Sequence, residues 1–141
     1  MTQDGLRLES QVEHGENSIA FAVLANLANT ATTRTAGVFK NNKCRGILFI
    51  VTTANKANAA SFTPKILTYD ASGTAVTLAS FTAITSNTTT ILIYYPAVLT
   101  GFSGTEAKVG QLPREWSLQL SANGNGTTDT IDTKVDAMYL I

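Results

Sequence analysis

The last fifteen residues, Thr127 to Ile141, set Ile131, Thr133, Val135, Ala137, Tyr139 and Ile141 against Thr130, Asp132, Lys134, Asp136, Met138 and Leu140. Alternation of this kind predicts a β-strand with one face on a core, because successive side chains of a strand point to opposite sides of the sheet. A helix, with 3.6 residues per turn, cannot gather such a pattern onto one face. The final strand is therefore expected to be stitched into the sheet along its whole length.

The same period of two recurs upstream. Arg45 to Thr53, RGILFIVTT, is apolar on both faces through Ile47, Phe49, Val51 and Leu48, Ile50, and reads as a central strand covered on both sides. Pro64 to Leu78 gives KILTY, the turn Asp70-Ala71-Ser72-Gly73 and TAVTL, a hairpin in which Asp caps the turn and Gly accepts positive φ. Thr88 to Tyr95 is a further strand, ended by Pro96, which has no N–H to continue a ladder. Thr100 to Gly110 reads as a glycine-rich loop. In LPREWSLQL, Leu112 to Leu120, Pro113 breaks that loop. Trp116, Leu118 and Leu120 then point to one side, and Ser117, Gln119 and Ser121 to the other. Trp116, the single tryptophan, is the expected core anchor. Asn123-Gly124-Asn125-Gly126 supplies a tight turn whose partner strand runs to the terminus. Thr30 to Phe39 reads as one more strand, with Gly37 a bulge inside it.

These short strands, spaced by turn residues and free of any repeat or linker, predict one all-β domain, a β-sandwich of jelly-roll type over residues 30–141. Residues 1–29 form an N-terminal arm. Leu6, Leu8 and Val12 alternate with polar neighbours as in an extended segment, and Ser18 to Ala28 is compatible with one short amphipathic helix. At 141 residues such a domain can bury about 70% of the surface its unfolded chain exposes, enough to fold without covalent staples. None is available, since Cys44 is the sole cysteine.

Composition narrows the function classes. Thr (22 residues) and Ala (18) dominate while charged residues make up 14%, which points to an uncharged, hydroxyl-rich surface. Net charge is zero by cancellation: Asn17 to Tyr69 holds six basic residues and no acid, whereas the first sixteen residues carry four acids against Arg7 alone. A charge-segregated docking surface and a solvated mixture of lysines both fit that distribution. The acidic N-terminus is unlike a signal peptide, and the longest apolar run, Ile19 to Ala25, is far short of the roughly 20 residues a bilayer needs. A soluble protein made in a cytoplasm, without a membrane partner, is expected.

Catalytic and ligand constellations are sparse. His14, the one histidine, lies between Glu13 and Gly15 in the arm, remote from any nucleophile elbow. Cys44 sits in the basic turn KNNKCRG and reads as a structural thiol in preference to a reactive one. Asp129, Asp132 and Asp136 hint at a calcium loop but fit no EF-hand spacing. Glu106 and Glu115 cannot be assigned as a glycosidase pair. Gly101-Phe102-Ser103-Gly104 lacks the Gly-Lys-Ser/Thr of a phosphate loop, and no basic strand is interleaved with aromatics as nucleic-acid binding would want. The expectation is a non-enzyme with no cofactor, metal or nucleic acid. There is also an excess: Leu48, Ile50, Leu92, Tyr94, Met138 and Leu140 fall on strand faces that a simple sandwich turns to water. Each forgoes roughly 1.5–3 kcal/mol of burial if left bare, so a covering arm or neighbouring subunit is expected.

The ordered set TRTA (Thr33 to Ala36), the apolar strand Gly46 to Thr52, KILTYDASG, TTTILIYYPAVLTG, LPREWSLQL and the alternating final strand resembles small structural proteins of tailed-bacteriophage particles, above all head decoration or cement proteins. The likeness spans about Thr30 to Ile141, and its most specific part is the Tyr-Pro turn followed by Leu-Pro-Arg-x-Trp. The resemblance implies a jelly-roll sandwich on the virion's capsid surface, bound to the major capsid protein, bridging capsomers and often trimeric. Leu6, Leu8, Val12, Arg34 and Arg114 are the expected interface residues. Two departures stand out: Glu115 lies between Arg and Trp, and the last strand carries Asp132, Lys134 and Asp136. The rival reading is a carbohydrate- or receptor-binding module of a phage tail, with Tyr94, Tyr95 or Phe102 as a stacking platform.

Overall fold

The structure, a computed structural model, describes residues 33–97, 104–123, 126 and 128–141. Eight strands follow in chain order: β1 (Arg34–Lys40), β2 (Gly46–Ala57), β3 (Phe62–Tyr69), β4 (Ala75–Ser80), β5 (Thr89–Tyr95), β6 (Thr105–Val109), β7 (Glu115–Ala122) and β8 (Thr130–Leu140). They form two four-stranded sheets, β1-β7-β3-β4 and β6-β5-β2-β8, and no helix occurs among the described residues. The all-β sandwich is therefore as expected. Jelly-roll winding, an antiparallel arrangement, is not established by this strand order, because β6 joins β5 in parallel.

One core joins the sheets. Ile47, Phe49, Val51, Leu92, Ile131, Val135 and Tyr139 from one sheet meet Phe62, Ile66, Trp116, Leu118 and Leu120 from the other. Trp116 is fully buried, with Phe39 4.8 Å away and Phe49 and Tyr139 edge-on at 5.8 and 6.2 Å. Its indole N–H donates to the Tyr139 hydroxyl (3.2 Å), which in turn donates to the carbonyl of Lys40 (2.8 Å), so the edge strands β1 and β8 are tied together across the layer gap. The polar handles of two large aromatic residues satisfy each other, which is what lets both be buried.

Local readings hold where a turn or bulge residue makes them. β1 and β7 shift register between Ala36 and Phe39, around Gly37, as expected of a bulge there. The Asp70 carboxylate accepts from the backbone N–H groups of Ser72 and Thr74 (both 2.9 Å), and Gly73 takes φ +86°, completing the β3–β4 hairpin.

Four expectations need correction. Thr105–Val109 is a strand and not part of a loop; it uses the edge that β5 leaves open. The Asn-Gly turn does not close a hairpin, because β7 pairs with β1 and β3 whereas β8 pairs with β2 in the opposite sheet. Ser117, read as outward and polar, is fully buried beneath Tyr69, whose hydroxyl shares a 2.5 Å hydrogen bond with it. Leu92 and Tyr94 point inward, in register with Phe49 and Ile47, so the outward residues of β5 are Ile91 and Ile93. The thirty-two residues before Thr33, with the arm, its helix, Leu6, Leu8, Val12 and His14, lie outside the described residues, as does Phe102.

Candidate interaction surface

The outer face of the sheet β6-β5-β2-β8 carries the excess of apolar residues that the alternation announces. Strand register assembles it row by row. Ala107, Ile93, Leu48 and Met138 lie side by side across four strands, and Ile91 and Ile50 adjoin them in the next row, between Thr105 and Asp136. On the other side, Val109 is level with Tyr95, and Gly46 with Leu140. Those of β2, β5 and β8 occupy positions alternate to the core side chains of the same strands, and those of β6 lie level with the β5 members of the face.

Exposure across the face is graded. Ile93, at its centre, is only 3% exposed although it lies outside the cluster that joins the two sheets, whereas Val109 on the edge strand β6 is 62% exposed. Leu48, Ile50, Ile91, Tyr95, Ala107, Met138 and Leu140 are half-buried. A contiguous apolar patch on a β-sheet differs from scattered surface leucines, because water must be ordered or displaced over its whole area at once. Charge bounds it at one end, where Lys134 and Asp136 pair at 3.7 Å.

At the opposite end the boundary is basic. Arg45 places its guanidinium 5.8 Å from the centre of the Tyr95 ring, and the Tyr95 hydroxyl donates to the Ile141 carbonyl at 3.0 Å. Asn41 organises this end. Its amide nitrogen donates to the carbonyls of Cys44 (2.7 Å) and Leu112 (3.1 Å), its Oδ1 accepts from the Cys44 N–H (2.9 Å), and its own N–H donates to the Arg114 carbonyl (2.7 Å). One buried amide thus gathers Lys43, Arg45 and Arg114 at one end of the sandwich, beside Lys40, which holds Glu115 at 2.5 Å. Asp129 and Asp132 lie at the far end, where they accept from Ala59 N–H and Asn55 Nδ2. Nothing in the local sequence distinguishes Asn41 from its neighbour Asn42; its role exists only because the loop before β7 packs on it.

Comparison with protein-family models, curated proteins and solved structures returns no match.

Burial pushes the Cys44 thiol pKa up, against a smaller opposing pull from Lys43, which favours the unreactive thiol. Asp129 and Asp132 each serve a local backbone or amide contact and Asp136 pairs with Lys134; no group of three His, Cys, Asp or Glu able to hold a metal forms among the described residues. Glu106 and Glu115 stand on different sheets, each beside its own lysine. Arg34 and Arg114, both exposed, are not brought together: Arg34 is level with Leu120 near the end of β7, and Arg114 immediately precedes its start. Tyr94 is 7% exposed and cannot serve as a stacking platform. A shallow pocket of about 190 Å³, lined by Thr82, Thr85, Ser86, Thr88, Thr90 and Glu106, is rich in hydroxyls but has no aromatic wall.

Proposed function

We propose that the chain is a structural component of a particle, acting as a capsid decoration protein of a tailed phage that binds the major capsid protein at the outer shell and braces neighbouring capsomers. One observation carries the reading: the outer face of β6-β5-β2-β8 sets apolar side chains side by side across all four strands, half-buried around Ile93 and ending at Arg45, a surface of the kind a protein buries against neighbours. The sequence resemblance supplies the kind of particle, and a trimer is its favoured oligomer. A sandwich suits that task physically. Its rigid layers offer a broad face, and many weak copies on one lattice resist swelling together through avidity.

The test is co-sedimentation of the purified protein with empty phage shells, followed by its stoichiometry in intact particles. Saturable binding at a fixed number of copies per capsomer supports the proposal. Protein that stays in the supernatant at every concentration overturns it, and a few copies per particle would move it to the tail.

A further inference from the structure

We propose that the apolar outer face of β6-β5-β2-β8 is occupied by the segment Ile19–Leu27 of a neighbouring copy of this chain, with the acidic residues before it directed to the basic end of the face. The inference rests on the assembly reading above and names the occupant of its surface.

Three observations carry it. The first is chemical match. Ile19, Phe21, Val23, Leu24 and Leu27 form the most apolar stretch of the residues preceding β1, and the face offers the half-buried Ile91, Leu48, Ile50, Met138 and Leu140. The second is charge. Asp4, Glu9, Glu13 and Glu16 against Arg7 give residues 1–16 a net charge of −3, and the face ends at Arg45, with Lys43 and Arg114 gathered behind it by Asn41. Opposite charge at one end and apolar surface along the middle match the order of acidic and apolar residues in the segment.

The third is reach. Thirty-two residues precede Thr33, a span of up to about 100 Å when extended. Thr33 is fastened at the margin of the other sheet, where its hydroxyl accepts from the Ala122 N–H at 3.1 Å. That margin is the end of β7 remote from Arg114 and Arg45. That length is enough to cross to a second copy seated alongside, and in the proposed arrangement the contact that hides its apolar face links the two molecules.

Disulfide trapping tests this with full-length chains. A Phe21→Cys protein is mixed with a Met138→Cys protein and oxidised; Cys44, at 2% exposure, stays silent. The expected result is a mixed dimer in roughly tenfold excess over Phe21→Cys mixed with Lys65→Cys, whose thiol lies on the outer face of the other sheet, since a docked segment has a high effective concentration. A mixed dimer no more abundant than this control overturns the inference. So does a single chain carrying both Phe21→Cys and Met138→Cys that closes on itself as a monomer. Raising ionic strength from about 0.05 to 0.5 M should lower the yield, because it shortens the screening length; an unchanged yield removes the charge pairing. Chains that trap one another but do not sediment with shells fail the assembly reading and leave arm exchange standing. Chains that sediment without trapping sink arm exchange alone.

Discussion

Trp116 and Tyr139, on facing sheets, share a hydrogen bond of 3.2 Å between the indole N–H and the phenol oxygen, and neither ring is exposed to solvent. Replacing Tyr139 by Phe keeps the ring and removes both bonds of its hydroxyl, leaving a buried indole donor and the Lys40 carbonyl unmet. The expected cost is about 1–3 kcal/mol in urea unfolding. Trp116→Ala, which also opens a cavity, should cost about 3–5 kcal/mol.

The two faces of β2 should respond differently. Ile47→Ala, in the core, is expected to lose about 2–5 kcal/mol of unfolding free energy. Leu48→Lys, one residue on, sits on the outer face; it should change the stability of the isolated domain by under about 1 kcal/mol while abolishing shell binding. Paired measurements of stability and co-sedimentation check this, and normal binding by Leu48→Lys would count against the face.

Asn41→Ala removes four side-chain hydrogen bonds at a buried site and leaves the Cys44 N–H and the carbonyls of Cys44, Leu112 and Pro113 without this partner. A loss of about 1–3 kcal/mol is expected. Faster hydrogen exchange at Cys44 should accompany it, reporting the loosened basic end.

Thr133 is 1% exposed and its hydroxyl has no hydrogen-bond partner among the described residues. Thr133→Val keeps the shape and removes the desolvated oxygen. The substitution should stabilise the domain by about 1 kcal/mol, visible as a raised midpoint in urea.

The Glu115 carboxyl is held below its usual range by the hydrogen bond from the Lys40 ammonium and by that ion's charge. A carboxylate with a depressed folded-state pKa adds stability that is complete above its unfolded value and is lost as pH falls through the lowered one. Glu115→Gln should therefore lower stability slightly at neutral pH, leave it unchanged below the lowered pKa and so flatten the acid limb of the stability–pH profile; the effect is small because both side chains are largely solvated. Asp70, lowered chiefly by the Ser72 hydroxyl, predicts the same sign in Asp70→Asn.

Much of the fold was legible in the sequence because period-two alternation, Pro96, Gly73 and the Gly37 bulge act over a few residues. Ile47, Phe49 and Val51 could be read as a core face, and Leu48, Ile50, Met138 and Leu140 as the opposite one, from parity along each strand. Parity failed in β5, where Ile91 to Tyr95 is apolar at every position, so only pairing with β2 tells which residues face in. β6 was unreadable for a different reason: Thr105–Val109 has no apolar rhythm and owes its extended form to the parallel edge of β5.

Local backbone preference and side-chain alternation suffice for the class of the fold, the strand punctuation, Trp116 as anchor and the surplus of apolar side chains. Only the closed sandwich sends β7 and β8 to different sheets, lets Asn41 tie the loop bearing Lys43 and Arg45 to the segment bearing Arg114, and makes neighbours of Ile93 and Leu48. Those relations join residues up to seventy positions and more apart. Their energy comes from burial and hydrogen bonds that exist only once the sheets have closed, so no local pattern can carry them.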